Sequence, residues 1–471
     1  VKLIDEMATS PGRYIFALSQ VRLINEKMAD LEQAAQFAGT NPTLKAIYYG
    51  VTGRTSVTRA IEEARLLHEN DPHVILLITH EGMMGADLND FHGWRARIDE
   101  NPHGVSNGTF KAPASGGVLA DIFELEPSSS EWSILKVKEN GPTKKSISQD
   151  PLAKLLGDMR KCAARPQGAL IDVGDWDDLR DSGRSMNWLS FWSPLALAAF
   201  DDVVIAAAGY FIGIAYLVAE KLIPGRITYI KNIIAPTVRA HRLFKIHYFA
   251  AAHRGSTTFW EKKEGKDCLV AVSQHLETVG LGYWSCNEAI DLAFHGRVKG
   301  TKVPPKVEGT NSLIAHRACA LIYSSKCLPE DEVLIKLVGL AKDQIERARE
   351  TEDVLQFIMR GAVRDPPFSG DYDVYLYDQH QADALAEYIR ENEIGDVELI
   401  PVDEAGIMEV EREVRGQFVE EDQRSKKQRA NERRVKNTES RRLKRDQEKQ
   451  QKIVDGSYRE RGRPRKTAGR R

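Results

Sequence analysis

Asp99 and Glu100 stand side by side at the end of the run RARIDE (95–100). Adjacent carboxylates at a strand end suit two jobs: holding Mg²⁺ through water, and orienting or deprotonating an attacking water. In nucleotide motors such a pair works beside a Gly-rich phosphate loop ending in Lys-Ser/Thr. Far along the chain, LQFIMRGAVRD (355–365) spaces Gln356, Arg360 and Arg364 at i, i+4 and i+8. That spacing predicts one helix face. There Gln356 could read a nucleotide while the two arginines, with their fixed charge and forked donors, neutralise charge on a transferred γ-phosphoryl. A third candidate is EGTNSL (308–313), where Gly309, Thr310 and Asn311 form a small polar turn able to offer N–H groups to a phosphate. Each has a plain reading too: a surface acid pair, an amphipathic helix with a solvated basic edge, an ordinary turn.

The elements around these residues alternate. GRYIFALS (12–19), KAIYYG (45–50), HVILLITHEGM (73–83) and RARIDE read as strands. Helices are expected over 21–37 and 56–70, with a helix-like LNDFHGW after the third strand. Short apolar strands alternating with helices imply an α/β fold with a parallel sheet, whose ligands bind at the carboxyl ends of the strands. Glu81, Asp99 and Glu100 fall at such ends. Gly, Ser and Pro clusters break up residues 104–190, which read as an insertion with a hairpin and a helix. The rhythm returns at AAFDDVVIAAAG (198–209). A second α/β unit is expected from about Arg226, with strands at 226–233, 245–253, 266–273 and 371–378. LIAHRACALIYSS (313–325) reads as mixed helix and strand, 330–364 as mainly helical, and 381–392 as a closing helix.

Charge is unevenly spread. The whole chain has 66 Lys+Arg and 68 Asp+Glu, net −2, yet residues 411–471 hold 22 basic and 11 acidic residues, net +11, leaving −13 for the rest. An acidic body with a basic tail points to a nucleic-acid partner. The five cysteines form no C-x-x-C pair, which speaks against zinc and disulfide frameworks and for a reducing compartment. The opening VKLIDEMATS is too polar for a signal-peptide core, so a cytoplasmic location is expected. The uncharged run VVIAAAGYFIGIAYLVA (203–219) reads as a buried strand, a small-residue turn and a core helix rather than a membrane span.

The order of the motifs carries more than any one of them. THEGM (79–83), IDENP (98–102), VIAAAG (204–209), EGTNSL and QFIMRGAVR resemble the motif series of superfamily 2 helicases, the DEAD/DEAH-like two-lobe ATPases, in particular divergent phage or plasmid members; the resemblance covers roughly residues 1–395. It implies two RecA-like lobes of the P-loop NTPase type, at 1–223 and 224–400, with ATP and Mg²⁺ in the cleft between them. Asp99 would hold Mg²⁺ through water and Glu100 would act on the attacking water. Gln356, Arg360 and Arg364 would reach across from the second lobe. Ser19, Thr79 and the Gly309-Thr310-Asn311 turn would contact nucleic acid. The family's phosphate loop precedes the helix that KLIDEMATS resembles, so it is expected before Val1; neither VTGRTS (51–56) nor GVSNGTFKAPASGG (104–117) replaces it. Pro102 at the fourth position of the acidic box and alanines at 206–208 depart from the family pattern and put its coupling steps in doubt.

A charged helix is expected over 401–455 and an unstructured basic tail over 456–471. In the tail, Arg461, Gly462, Arg463, Pro464 and Arg465 resemble an AT-hook, a narrow extended segment whose arginines fit the minor groove of A·T-rich DNA. A generic basic tail would bind any polyanion. Two rivals stand beside the motor: a DNA-binding or adaptor protein without ATPase activity, and a packaging translocase with a nuclease, for which DVELIPVDEAG (396–406) offers acids but no metal constellation.

Overall fold

The computed structural model describes residues 2–53, 56–111, 116–129, 132–142, 151–182, 185–231, 240–306 and 312–411. The apolar run VILLIT, with five of its six residues buried, makes a central strand that needs cover on both faces. The first lobe supplies it. Its strands are β1 (Arg13–Leu18), β2 (Thr43–Ile47), β3 (Val74–Thr79) and β4 (Trp94–Asp99). The chain then leaves the sheet for an insert of β5 (Val105–Lys111), β6 (Phe123–Pro127), β7 (Trp132–Val137), β8 (Ala169–Asp172) and β9 (Ser185–Phe191). It returns as β10 (Asp202–Ala206). The parallel sheet has the order β10-β4-β1-β3-β2. Helices Lys2–Thr9 and Val21–Ala38 cover one face around Phe16, Ile24 and Leu77. Helix Val57–Leu67, capped by the Ser56 hydroxyl, covers the other around Ile61, Leu76 and Ile98.

The second lobe is a parallel sheet of β11 (Arg242–Ala250), β12 (Tyr283–Cys286), β13 (Thr301–Lys302), β14 (Ala318–Ile322), β15 (Gly370–Asp378) and β16 (Asp396–Pro401), in the order β13-β12-β14-β15-β11-β16. Its two faces bury separate apolar cores, one around Phe357 and Tyr372, the other around Trp260 and Tyr377. Both lobes and the insert lie in one compact unit. Both are parallel-sheet α/β lobes, as the alternation of strand and helix implied, and they accord with the RecA-like lobes that the resemblance implied.

Several expectations need correction. Residues 266–273 are not a strand but part of the helix Lys263–Thr278; its buried residues Cys268, Leu269, Val272, Ser273 and Leu276 recur at helical spacing that an eight-residue window hides. The described part of 226–233 forms no strand, and Tyr229 instead joins Tyr210, Phe211 and Tyr216 in an aromatic cluster with centroid separations of 5.1–6.0 Å. LNDFHGW makes turns rather than a helix, burying Leu88, Phe91 and Trp94. Within 313–325 the strand is Ala318–Ile322.

The insert is larger than a hairpin and a helix. It is a five-stranded antiparallel sheet, β5-β9-β8-β7-β6, with helices Gly116–Ile122, Pro151–Ala163 and Val173–Ser182. Where it joins the lobe, Gly104 lies so close to Trp192 that a Cβ would sit 2.7 Å from the Trp192 carbonyl oxygen.

The run 203–219 divides as expected into β10, a turn and the helix Ile214–Leu222, but β10 is an edge strand whose residues are exposed or partly exposed rather than buried. Among the described residues no helix is long and apolar enough to cross a membrane. The charged helix expected from 401 does not begin there: Asp403–Ala405 is a 3₁₀ turn, and Val402 and Ile407 are buried against the second lobe. The rest of that segment from 412 on, including Arg461, Gly462, Arg463, Pro464 and Arg465, lies outside the described residues, as do Gly309, Thr310 and Asn311.

Candidate active site

β4 runs between β1 and β10, so its carboxyl end is flanked on both sides. The register pairs Ala17 with Ile98 and Ala206 with Asp99. Ser19, just past β1, therefore meets the acidic pair. Its hydroxyl donates to Glu100 Oε2 at 2.9 Å. On the other side the Glu100 N–H donates to the Ala206 carbonyl at 3.0 Å. That bond holds Glu100 at φ 69°, one of two non-glycine residues with positive φ among those described. A left-handed glutamate is uncommon and costs free energy, and such strain gathers at functional sites.

Asp99 is half-buried, and burial first, then the Glu100 charge, pushes its carboxyl above the usual range; Lys27 and Arg364 pull the other way. A desolvated carboxylate beside a second one is short of positive charge. That donor set suits a hard divalent cation that keeps most of its shell as water and phosphate oxygens. Among the described residues no cluster of three or more His, Cys, Asp or Glu could hold a metal alone. Asp99 fits the part of a single water-mediated ligand.

The second lobe supplies the cations. Arg360 is 7% exposed and donates from Nη2 to Glu100 Oε1 at 2.9 Å. Arg364 is close enough to feel Arg360, Glu100 and Asp99; partial desolvation, then the Arg360 charge, push its guanidinium down while both carboxylates pull it up. The two arginines do not share a helix face with Gln356, as their spacing predicted. Helix Lys342–Ile358 carries Gln356 in its last turn and then stops. The Tyr283 and Tyr372 hydroxyls take the final carbonyls, donating to Phe357 at 3.0 Å and Ile358 at 2.9 Å. Gly361 lies directly against Tyr372, where a Cβ would clash at 2.2 Å. Arg360 follows the helix and Arg364 ends the 3₁₀ turn Ala362–Arg364, and the bend turns both toward the acids.

Other residues fall elsewhere. Thr79 caps helix His80–Gly85, its hydroxyl accepting from the Gly82 N–H at 3.1 Å. Glu81 accepts from Arg165 at 2.8 Å and Lys161 at 3.0 Å, both from the insert. Burial opposes ionisation, but these cations win and hold its carboxyl below the usual range. Sequence reasoning missed a second cross-lobe contact, Asn101 Nδ2 to Glu352 Oε1 at 3.3 Å. It also missed Asp331, fully buried and gripped by Arg349. In LPEDEV this acid reads as a solvated helix start; Arg349 and Glu352, three residues apart on the helix Lys342–Ile358, were the available signal.

No family profile matches the chain, and no curated protein matches it. Solved structures of similar architecture include a variant of S. cerevisiae Dbp5 bound to Gle1, at 8% identity over 84% of this chain and 78% of that one, TM-score 0.30. A DEAD-box protein from Methanococcus jannaschii matches at 8% over 84% and 81%, TM-score 0.23. Mycobacterium smegmatis helicase Lhr, bound to ssDNA and AMP-PNP, matches at 11% over 85% and 44%, TM-score 0.25. At these TM-scores the likeness says nothing about the site. By its own strand order, the molecule has two parallel-sheet α/β lobes and an antiparallel insert.

Proposed function

We propose that this chain is the two-lobe body of an ATP-dependent helicase or translocase acting on nucleic acid, DNA in preference to RNA. The observation that carries this reading is the meeting of Asp99 and Glu100, at a strand end of one lobe, with Arg360 and Arg364 from the other. Acids that manage a cation and a water, opposed by arginines, are the working parts of phosphoryl transfer. Bound ATP and Mg²⁺ would supply the γ-phosphoryl. Asp99 would hold the cation through water, Glu100 would orient the attacking water and take its proton, and the two arginines would neutralise charge on the transferred group. Opening and closing the cleft would then move one lobe along a strand.

Two features qualify which residues do what. Ser19 bonds to Glu100, which favours a part in positioning that carboxylate over the nucleic-acid contact its motif implies. The strongly basic stretch 411–471 supports, as the second reading, a DNA-binding or adaptor protein without ATPase activity.

The test is ATP hydrolysis with and without single-stranded DNA. It would use this chain, a form extended by the in-frame codons before Val1, and Glu100→Gln in the extended form. DNA-stimulated turnover in the extended form that Glu100→Gln abolishes supports the motor. DNA binding with no turnover in either form supports the adaptor.

A further inference from the structure

We propose that the insert of β5–β9 is a clamp that fixes the two lobes against each other, and that Asn107, Asp331 and Arg349 are positioning residues that set Arg360 on Glu100.

The insert is joined to the first lobe by two chain connections, after β4 and before β10. It leaves just after Glu100, and on its return the Trp192 N–H donates to the Gly104 carbonyl at 2.7 Å. A separate foot stands on the first lobe, where Arg165, 5% exposed, and Lys161 grip Glu81. The opposite side stands on the second lobe. Asn107 Nδ2 is 2.9 Å from both Asp331 Oδ1 and the Glu330 carbonyl.

Asp331 is 0% exposed, and both its oxygens are fully engaged. Oδ1 accepts from Asn107 and from Arg349 Nη2 at 2.6 Å; Oδ2 accepts from Arg349 Nη1 at 2.5 Å and from the Leu328 N–H at 2.7 Å. Around this polar knot an apolar layer joins Leu189, Val105 and Phe191 of the insert to Val333, Leu334 and Ile345 of the second lobe. The apolar layer alone would hold the pieces together but would tolerate sliding. Arg349 and the Leu328 N–H hold Asp331 within its own lobe, and Asn107 is the donor that crosses to it from the insert, so a shift in register costs the two directional Asn107 bonds, to Asp331 and to the Glu330 carbonyl.

The register matters because of where the contacts fall. A short run of the first lobe and insert touches one helix and its continuation at three successive points. Glu100 meets Arg360, Asn101 meets Glu352, and Asn107 meets Arg349 through Asp331. Arg349 and Glu352 lie on the helix Lys342–Ile358, which leads directly into Arg360. The knot at Asp331 therefore fixes the helix whose end delivers the arginine, at the lobe spacing where Arg360 reaches Glu100. Opening the lobes requires the Asn107 foot to release.

Only the consequence for turnover rests on the proposed function; the clamp itself is a matter of lobe spacing. The experiment accordingly reads distance without nucleotide. Phe37 of the first lobe, 95% exposed, and Leu292 of the second, 92% exposed, are replaced by p-acetylphenylalanine and coupled to nitroxides. Their separation is measured by pulsed dipolar spectroscopy. The wild type should give one narrow population. Asn107→Asp, which sets carboxylate against carboxylate, should broaden and lengthen it. An unchanged distribution in Asn107→Asp overturns the clamp. Should Asn107→Asp fail to fold by circular dichroism, Asn107→Ala decides: broadening supports the clamp and a wild-type distribution overturns it. Wild-type distances in an active ATPase would sink the clamp alone; a clamp confirmed in a protein that never hydrolyses ATP would sink the motor alone.

Discussion

Arg360 donates to Glu100 Oε1 at 2.9 Å while Ser19 donates to Oε2 at 2.9 Å, so the carboxylate proposed to act on water is held at both oxygens, one from each lobe. The arginine thus neutralises the acid that it is proposed to work beside. Each partner of this arrangement can be removed separately, and each removal has its own signature.

Arg360→Ala leaves Glu100 without its cross-lobe cation in a largely buried place. A charge-assisted hydrogen bond is worth about 1.5–3 kcal/mol, and a loss of that order is expected. It should appear as a lower thermal midpoint. Arg360→Lys keeps the charge but loses the fork, and should recover part of the stability and little of any turnover.

Asp99 should work against stability. Its carboxyl is held above the usual range in the folded protein, chiefly by burial, so the folded state binds its proton more tightly than the unfolded chain does. Unfolding then becomes easier as pH rises above about 4. Asp99→Asn is expected to raise the thermal midpoint at pH 7, with the gain fading as pH falls toward 4. In the extended form the same substitution should abolish Mg²⁺-dependent hydrolysis. A midpoint that falls at pH 7 would refute the assignment of Asp99 as a strained functional acid.

Asp331 has the opposite sign. Burial opposes its charge, but Arg349, the Leu328 N–H and Asn107 outweigh it and hold the carboxyl below the usual range. Its contribution is complete above about 4 and is lost as pH falls through its lowered folded value. Asp331→Ala strands Arg349 and should cost on the order of 3–5 kcal/mol at neutral pH. Denaturant unfolding of the wild type and variant between pH 7 and pH 2.5 should show the difference shrinking in acid.

The tail prediction rests on sequence alone. Replacing Arg461, Arg463 and Arg465 by Ala should weaken DNA binding and flatten its dependence on salt, because each lost phosphate contact removes about one released counterion. A larger loss on A·T-rich than on G·C-rich duplex would mark an AT-hook. Equal losses would mark a general polyanion tail.

The sequence by itself determined the elements with long, regular patterns. HVILLITHEGM reads as a buried strand and is one over Val74–Thr79, though its end turns into the helix His80–Gly85; the alternation over the first hundred residues reads as a parallel sheet, and a strand ending in Asp-Glu put both acids at its carboxyl end. Local hydrophobic period and chain direction settle these, and both are written in consecutive residues. What failed was local only in part. A window of eight residues made a strand of the helix Lys263–Thr278, and ideal helix spacing put Arg360 and Arg364 on a helix that Tyr283, Tyr372 and Gly361 bring to an end. Those tyrosines come from distant strands, so the bend that aims the arginines is a tertiary product. Tertiary structure alone also decided that Ser19 would serve Glu100 and that Asp331, in a segment that reads as solvated, would be the buried post on which the insert stands. A carboxylate's neighbours across 224 residues of chain are fixed by packing, and nothing in its own sequence surroundings names them.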